Sequence, residues 1–126
     1  VSALLSTLRA KNKLLAVATG KSRVGLDRIM AHTQLTSLFH ATRCADESRP
    51  KPSPDMLLEL LALLKVLPSK TLMVGDTVHD VEMAHQAGVA SLAVGYGAHP
   101  PQALKEAGPW AYVDTPAEMA TYLCAV

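Results

Sequence analysis

Apolar positions along this chain follow two periods, and the switches between them mark out its elements. Leu4, Leu5 and Leu8 recur at helical spacing within Ser2 to Lys11, which predicts a helix. Leu14 to Ala18 is apolar without a break and reads as a buried strand ending at Thr19-Gly20. Ser22 suits the N-cap of a helix over Val24 to Ala31. Phe39 to Cys44 reads as a short strand. The run Pro50-Lys51-Pro52-Ser53-Pro54 cannot lie inside a helix. Ser53 can cap the next one, Asp55 to Val66, with Pro54 at its first position. A strand at Thr71 to Val74 follows, then a helix at Val78 to Ala87 stopped by Gly88, then a strand at Val89 to Val94. After the loop Gly95 to Pro101 come a helix at Gln102 to Ala107, a strand at Trp110 to Val113, and a last helix opened by Thr115-Pro116.

Strands that are apolar throughout are buried on both faces, as in a parallel sheet covered by helices. Helices that alternate with such strands make right-handed crossover units. The fold class is therefore α/β, a doubly wound parallel sheet in three layers. A length of 126 residues predicts one domain over 1–126, large enough for a real core.

Composition narrows the class of partner. The net charge is +1 with acids and bases interspersed, so no basic nucleic-acid face is expected. Lys65 and the prolines break up the longest apolar stretch, so no membrane span is expected. The amino end lacks a charged secretory n-region. Cys44 and Cys124 are far apart and match no metal or redox spacing, so they are expected to be reduced, small apolar residues. These features together predict a soluble, cytoplasmic protein.

Candidate chemistry gathers at strand ends. Thr71-Leu-Met-Val-Gly-Asp-Thr-Val-His-Asp80 is a strand, a tight turn and a helix start. Gly75 lets the backbone turn beside a ligand, and open α/β sheets place their sites at such carboxyl ends. Asp76 and Asp80 can point into one small volume and suit Mg2+, which also takes phosphate oxygens. The plainer reading is that Asp76 caps the helix and Asp80 is an acid favoured by its first turn. Thr19 and Gly20 can hold phosphate oxygens at a helix start, and Lys51 can offset developing charge. That set suits phosphoryl transfer. Thr19 alone reads more readily as a cap than as a ligand, whereas the prolines on both sides of Lys51 weigh against an ordinary loop lysine. Lys21 is expected in solvent, His79 and His85 lie on different helix faces, and His99 in the glycine-rich loop has no assigned role.

The ordered set Thr19, Lys51, Gly75-Asp76 and Asp80 resembles the haloacid dehalogenase superfamily, and most closely its phosphoglycolate phosphatase-like branch. The matching text is Leu14 to Ser22, Arg49 to Asp55 and Met73 to Asp80, continued by Met83 to Val89 and Val94 to Gly97. The resemblance implies that Thr19 and the Gly20 amide bind the transferring phosphoryl group. It implies that Lys51 neutralises nucleophile and phosphate, that Asp76 is a direct Mg2+ ligand, and that Asp80 is a second metal acid that also steadies Lys51. The implied substrate is a small phosphorylated metabolite, hydrolysed through an aspartyl-phosphate.

The chain departs from that pattern at one point. The family's nucleophile lies in an Asp-x-Asp motif after its first strand, and the aspartates here are only 27, 46, 55, 76, 80 and 114. The resemblance implies that this sequence begins after that strand and after the cap domain. It also implies that the missing strand belongs between Leu14–Ala18 and Thr71–Val74, leaving two unpaired edges open to self-association. Activity by the chain alone is therefore not expected, and metal binding should be weak. The alternative is a non-catalytic chain or a partner-binding module.

Overall fold

The computed structural model describes residues 2–33, 35–49, 51, 53–95 and 100–125, with side chains at all of these except 2, 3, 124 and 125. The elements are α1 (Ser2–Ala10), β1 (Ala16–Ala18), α2 (Arg23–Thr33), β2 (Ala41–Arg43), α3 (Asp55–Leu64), β3 (Leu72–Gly75), α4 (Val78–Ala87), β4 (Ala90–Val94), α5 (Pro101–Glu106), β5 (Ala111–Val113) and α6 (Pro116–Ala125). Two 3-10 turns, Thr36–Leu38 and Pro68–Lys70, lead into β2 and β3. Every predicted helix and strand is present.

All strand pairs are parallel, as the apolar runs require. Among the described residues they form two separate sheets, β1-β2 and β3-β4-β5. Ala16 pairs with Ala41, Leu72 with Ala90, and Leu92 with Ala111. The two candidate edges, β1 and β3, do not pair with each other.

Side chains alternate across the strands and so sort the helices into two layers. On one face Ala18 and Met73 pack with Met56, Leu57, Leu61, Met83 and Ala84 of α3 and α4. Ala93 and Tyr112 pack there with Val81 of α4 and Leu104 of α5. On the other face Leu72, Leu92, Val94 and Val113 meet Met119 and Leu123 of α6. Val17 meets Leu26 and Met30 of α2 there, beside the buried Cys44. The result is the three-layer arrangement expected.

Burial is uneven between strands. Leu92 and Ala93 of β4 have no exposure, whereas Val74 of β3 is 37% exposed. A groove of about 900 Å³ runs between β1 and β3, walled by both strands and by α1, α3 and α6.

Local chemistry explains the helix ends. Gly88 adopts φ 73° and its amide caps Ala84 and His85 carbonyls. Lys65 does the same work at the end of α3 with φ 56°, a left-handed conformation unusual for a side chain with a Cβ. It stops α3 short of the predicted Val66. Ser53 Oγ accepts from the Asp55 amide at 3.3 Å, but the N-cap of α3 is Pro54 rather than Ser53, and helix α3 starts at Asp55, one residue later than expected.

Candidate functional site

The site is assembled where β3 gives way to α4. Thr77, not Asp76, is the N-cap of α4, which corrects the plainer reading of Asp76. Thr77 Oγ1 accepts from the Asp80 amide at 3.1 Å, and Asp80 Oδ2 accepts from the Thr77 amide at 3.2 Å. This reciprocal capping box was legible as Thr77-Val-His-Asp80 but was missed. Asp80 Oδ2 also accepts from the Asp76 amide at 3.1 Å. The first-turn role of Asp80 and its role as a partner of Lys51 are therefore both present.

Lys51 Nζ approaches Asp80 Oδ1 at 2.5 Å. The contact is a close ion pair that engages the buried Oδ1. The pair is largely shielded, with side-chain exposures of 19% for Lys51 and 5% for Asp80. Asp76 is half-buried, and its carboxylate forms no hydrogen bond or ion pair among the described residues. Gly75 is required on steric grounds, because a Cβ there would collide with the Asp80 side chain.

Lys51 lies in the segment that leaves the carboxyl end of β2, and Asp80 lies past the carboxyl end of β3. Their contact brings the carboxyl ends of both sheets to one rim. Thr19 ends β1 at that rim, its amide continuing the ladder to the Arg43 carbonyl at 3.1 Å. No hydrogen bond or ion pair joins Thr19 or Gly20 to Lys51, Asp76 or Asp80 among the described residues. Thr19 Oγ1 instead accepts from the Lys21 amide at 3.2 Å.

Thr19 and Gly20, the expected phosphate-holding pair, stand ahead of the helix start rather than on it. α2 begins only at Arg23. Its first amides already have partners: Arg23 donates to Asp46 Oδ1 at 3.0 Å and Gly25 to Ser22 Oγ at 3.1 Å. Gly20 is exposed, and a Cβ there would meet nothing within 4 Å, so neither space nor backbone demands glycine.

Beside this rim is a charged network that the linear pattern did not reveal. Arg23 reaches Glu47 at 2.7 Å, Asp27 at 3.2 Å and the Thr42 carbonyl at 3.3 Å. Glu47 also accepts from the Cys44 amide at 2.9 Å. The Arg23 guanidinium, with the Cys44 amide, holds the Glu47 carboxyl below its ordinary range, and burial pushes the Cys44 thiol up. Arg43 and Ser48 both bond Glu59, at 3.1 and 2.6 Å, and the Ser48 hydroxyl leads in lowering its pKa. Arg49 pairs with Asp55 at 3.1 Å.

The remaining candidates are scattered. Lys21 and His79 are exposed. His85 is exposed too, with Nε2 3.0 Å from the Gly108 carbonyl. His99, Pro50 and Pro52 lie outside the described residues, as does most of the glycine-rich loop. Cys44 is free and buried, while the Cys124 side chain is outside the description. No helix of the described residues is long and apolar enough to cross a membrane.

The donors present fit part of a Mg2+ site. No cluster of three His, Cys, Asp or Glu occurs among the described residues. Mg2+ does not require one, since it is commonly held by one or two carboxylates, waters and a substrate phosphate. The Asp76 carboxylate, with no hydrogen bond or ion pair among the described residues, is suited to that partial role, with Asp80 beside it already engaged by Lys51.

Comparison with known proteins identifies the family. A probable phosphatase of Dickeya dadantii, IndB, is 39% identical over 116 residues, covering 91% of this chain and 50% of that protein. A phosphoglycolate phosphatase of Synechococcus elongatus is 29% identical over 119 residues, covering 94% and 55%. The crystal structure of a predicted phosphatase from Clostridium acetobutylicum superposes with a TM-score of 0.90 at 28% identity, over 98% of this chain and 58% of that one. The chain thus spans about half the length of the curated relatives it matches. The family model of haloacid dehalogenase-like hydrolases matches residues 1–94, and this chain, with its paired lysine and acid at the rim of a parallel sheet, belongs to that family.

Proposed function

We propose that this chain is the phosphate- and metal-holding part of a Mg2+-dependent phosphatase acting on small phosphomonoesters. The observation that carries the reading is the buried pair between Lys51 and Asp80 beside the unpartnered carboxylate of Asp76. A lysine held on an acid at a strand end keeps its ammonium fixed in the direction a phosphate would approach, with little reorganisation left for the reaction. Asp76 would bind Mg2+ directly, and Asp80 would support it directly or through water. When bound, the metal would neutralise and orient the phosphoryl group. Thr19 and the Gly20 amide would close the site from β1, where the Lys21 amide donates to Thr19 Oγ1 and turns the backbone. One relative, a phosphoglycolate phosphatase, supports a substrate of that kind.

The nucleophile is not among the aspartates of this sequence, since no Asp-x-Asp occurs in it. The attacking carboxylate and the acid for the leaving group would come from elsewhere in the working enzyme. The expected result is Mg2+-induced amide shifts in the NMR spectrum confined to 75–80, abolished by Asp76→Asn. The gene's full product should hydrolyse p-nitrophenyl phosphate with Mg2+ and lose that activity in the same variant. Mg2+ shifts elsewhere, or unchanged turnover by Asp76→Asn, would overturn the assignment.

A second reading has its own support: the absence of the nucleophile and the two unpaired strand edges suit a non-catalytic, partner-binding chain. Turnover by the 126-residue chain alone would refute it.

A further inference from the structure

We infer that His40 is a proton-released clasp on the leading end of β1: the neutral ring holds the strand, and the charged ring lets it go. The clasp consists of two bonds that run in opposite directions. The His40 amide donates to the Leu15 carbonyl at 2.7 Å. The Leu15 amide donates to His40 Nδ1 at 3.0 Å. The second bond puts an imidazole where a neighbouring strand would ordinarily offer a carbonyl.

The chemistry of the two atoms fixes the charge state of the ring. A backbone N–H can only donate, so Nδ1 must carry a lone pair and the ring proton must sit on Nε2. An imidazolium has a hydrogen on both nitrogens. Protonation therefore turns the acceptor into a donor and sets two N–H groups against each other. His85 shows the contrast. Its Nε2 lies 3.0 Å from the Gly108 carbonyl, which can only accept. That nitrogen donates in the neutral and the charged ring alike, so the bond survives protonation. Of the two rings, only His40 sits in a bond that a proton breaks.

The surroundings supply nothing to offset the new charge. His40 is exposed, so its ring exchanges protons with solvent. It makes no ion pair with a carboxylate among the described residues. Arg23 and Asp27 of α2 line a cavity of about 310 Å³ together with His40, but they pair with each other at 3.2 Å. Arg9 of α1 donates to the Ser37 and Leu38 carbonyls, at 3.1 and 3.2 Å. Arg43 of β2 is held by Glu59 at 3.1 Å. Lys13, just ahead of Leu15, is a further cation, and the turn Thr36–Leu38 carries no charge.

The clasp matters because β1 has little else. It is three residues long and pairs only with β2 among the described residues. Its far end is tied by the Thr19 amide on the Arg43 carbonyl at 3.1 Å. The contribution of the clasp is present while the ring is neutral and is lost as pH falls through the range in which histidine charges. Thr19 rides on this strand, so acid loosens the placement of the proposed phosphate-holding hydroxyl. That last consequence rests on the phosphatase reading, whereas the clasp itself does not.

The test is NMR on the isotope-labelled 126-residue chain at about pH 8 and about pH 5, either side of the histidine transition. At the higher pH a scalar coupling should connect the Leu15 amide nitrogen to His40 Nδ1, with the ring proton on Nε2. At the lower pH the coupling should vanish. Exchange of the Leu15 amide, corrected for the intrinsic effect of pH, should then be faster by about fivefold, the loss of one net hydrogen bond. His40→Phe removes the acceptor and should leave Leu15 equally unprotected at both pH values. His85→Gln should leave the Leu15 response as it was. A proton on Nδ1 at the higher pH, no coupling there, or equal protection of Leu15 at both pH values would overturn the inference. So would a pH response that persists in His40→Phe or disappears in His85→Gln. None of these readings involves turnover, so failure of the phosphatase reading would leave them standing.

Discussion

The Lys51 amine meets the Asp80 carboxylate at 2.5 Å, and the opposite oxygen of that carboxylate holds the Asp76 and Thr77 amides. One side chain thereby ties the segment after β2 to the head of α4. Asp80→Ala would leave a shielded ammonium and two amides without their acceptor. Loss of one partner of such a pair costs about 3 kcal/mol or more. Urea unfolding should show that loss, and Asp80→Asn, which keeps an oxygen for the amides, should lose less.

Gly75→Ala should destabilise although it adds a single methyl group. The new Cβ would run into the Asp80 side chain, which cannot retreat without releasing Lys51. Overpacking of this kind costs about 1–3 kcal/mol. The accompanying NMR signature should be displaced amide resonances at 76, 77 and 80. A stability equal to that of the parent chain would contradict the packing described.

Acid should weaken the Arg23–Glu47 network. Glu47 is held below the ordinary glutamate value, mainly by Arg23. Its contribution to stability is therefore complete above that ordinary value and is lost as pH falls through the lower native one. Glu47→Gln should flatten the acid limb of a stability–pH curve and leave the neutral region changed only by the lost ion pair. An unchanged acid limb would remove Glu47 from the account.

Core truncations should divide along the line between buried and groove-facing positions. Met83 has no exposure and sits between α4 and the sheet, so Met83→Ala should cost about 2–5 kcal/mol. Val74→Ala, at a position already 37% exposed, should cost far less in the same denaturation experiment.

Lys65→Gly should stabilise. Lys65 closes α3 at φ 56°, where glycine carries no Cβ penalty. The expected gain is about 0.5–1 kcal/mol, net of the added freedom of the unfolded chain. A lower melting temperature would mean that the lysine side chain contributes more than its backbone conformation costs.

The sheet and its helices were legible because apolar runs such as Leu72 to Val74 and Ser91 to Val94 allow few alternatives to a buried strand. Boundaries moved where partners intervened. β1 begins at Ala16 rather than Leu14, since the Leu15 amide goes to the ring nitrogen of His40 at 3.0 Å. The lysine–acid contact was legible through the family resemblance, and Asp80's capping through its helix position. The Thr77 cap and the Arg23–Glu47–Cys44 arrangement were not read. The first had a local signal that was passed over. The second depends on residues that only the fold brings together, and no spacing along the chain announces it. That α2 starts only at Arg23, with the amide there engaged by Asp46 from far along the chain, was likewise not legible.

The division of the strands into two ladders has a consequence for how the molecule opens. With no rungs between β1 and β3, cooperation between the halves must pass through side chains, chiefly those of α3, which touches β1, β2 and α4. The amino-terminal pair, short and flanked by half-covered residues, is the weaker partner in that arrangement. Thermal fluctuation should detach it well before the carboxyl-terminal trio loosens, so that the chain behaves as two cooperative units sharing one splint.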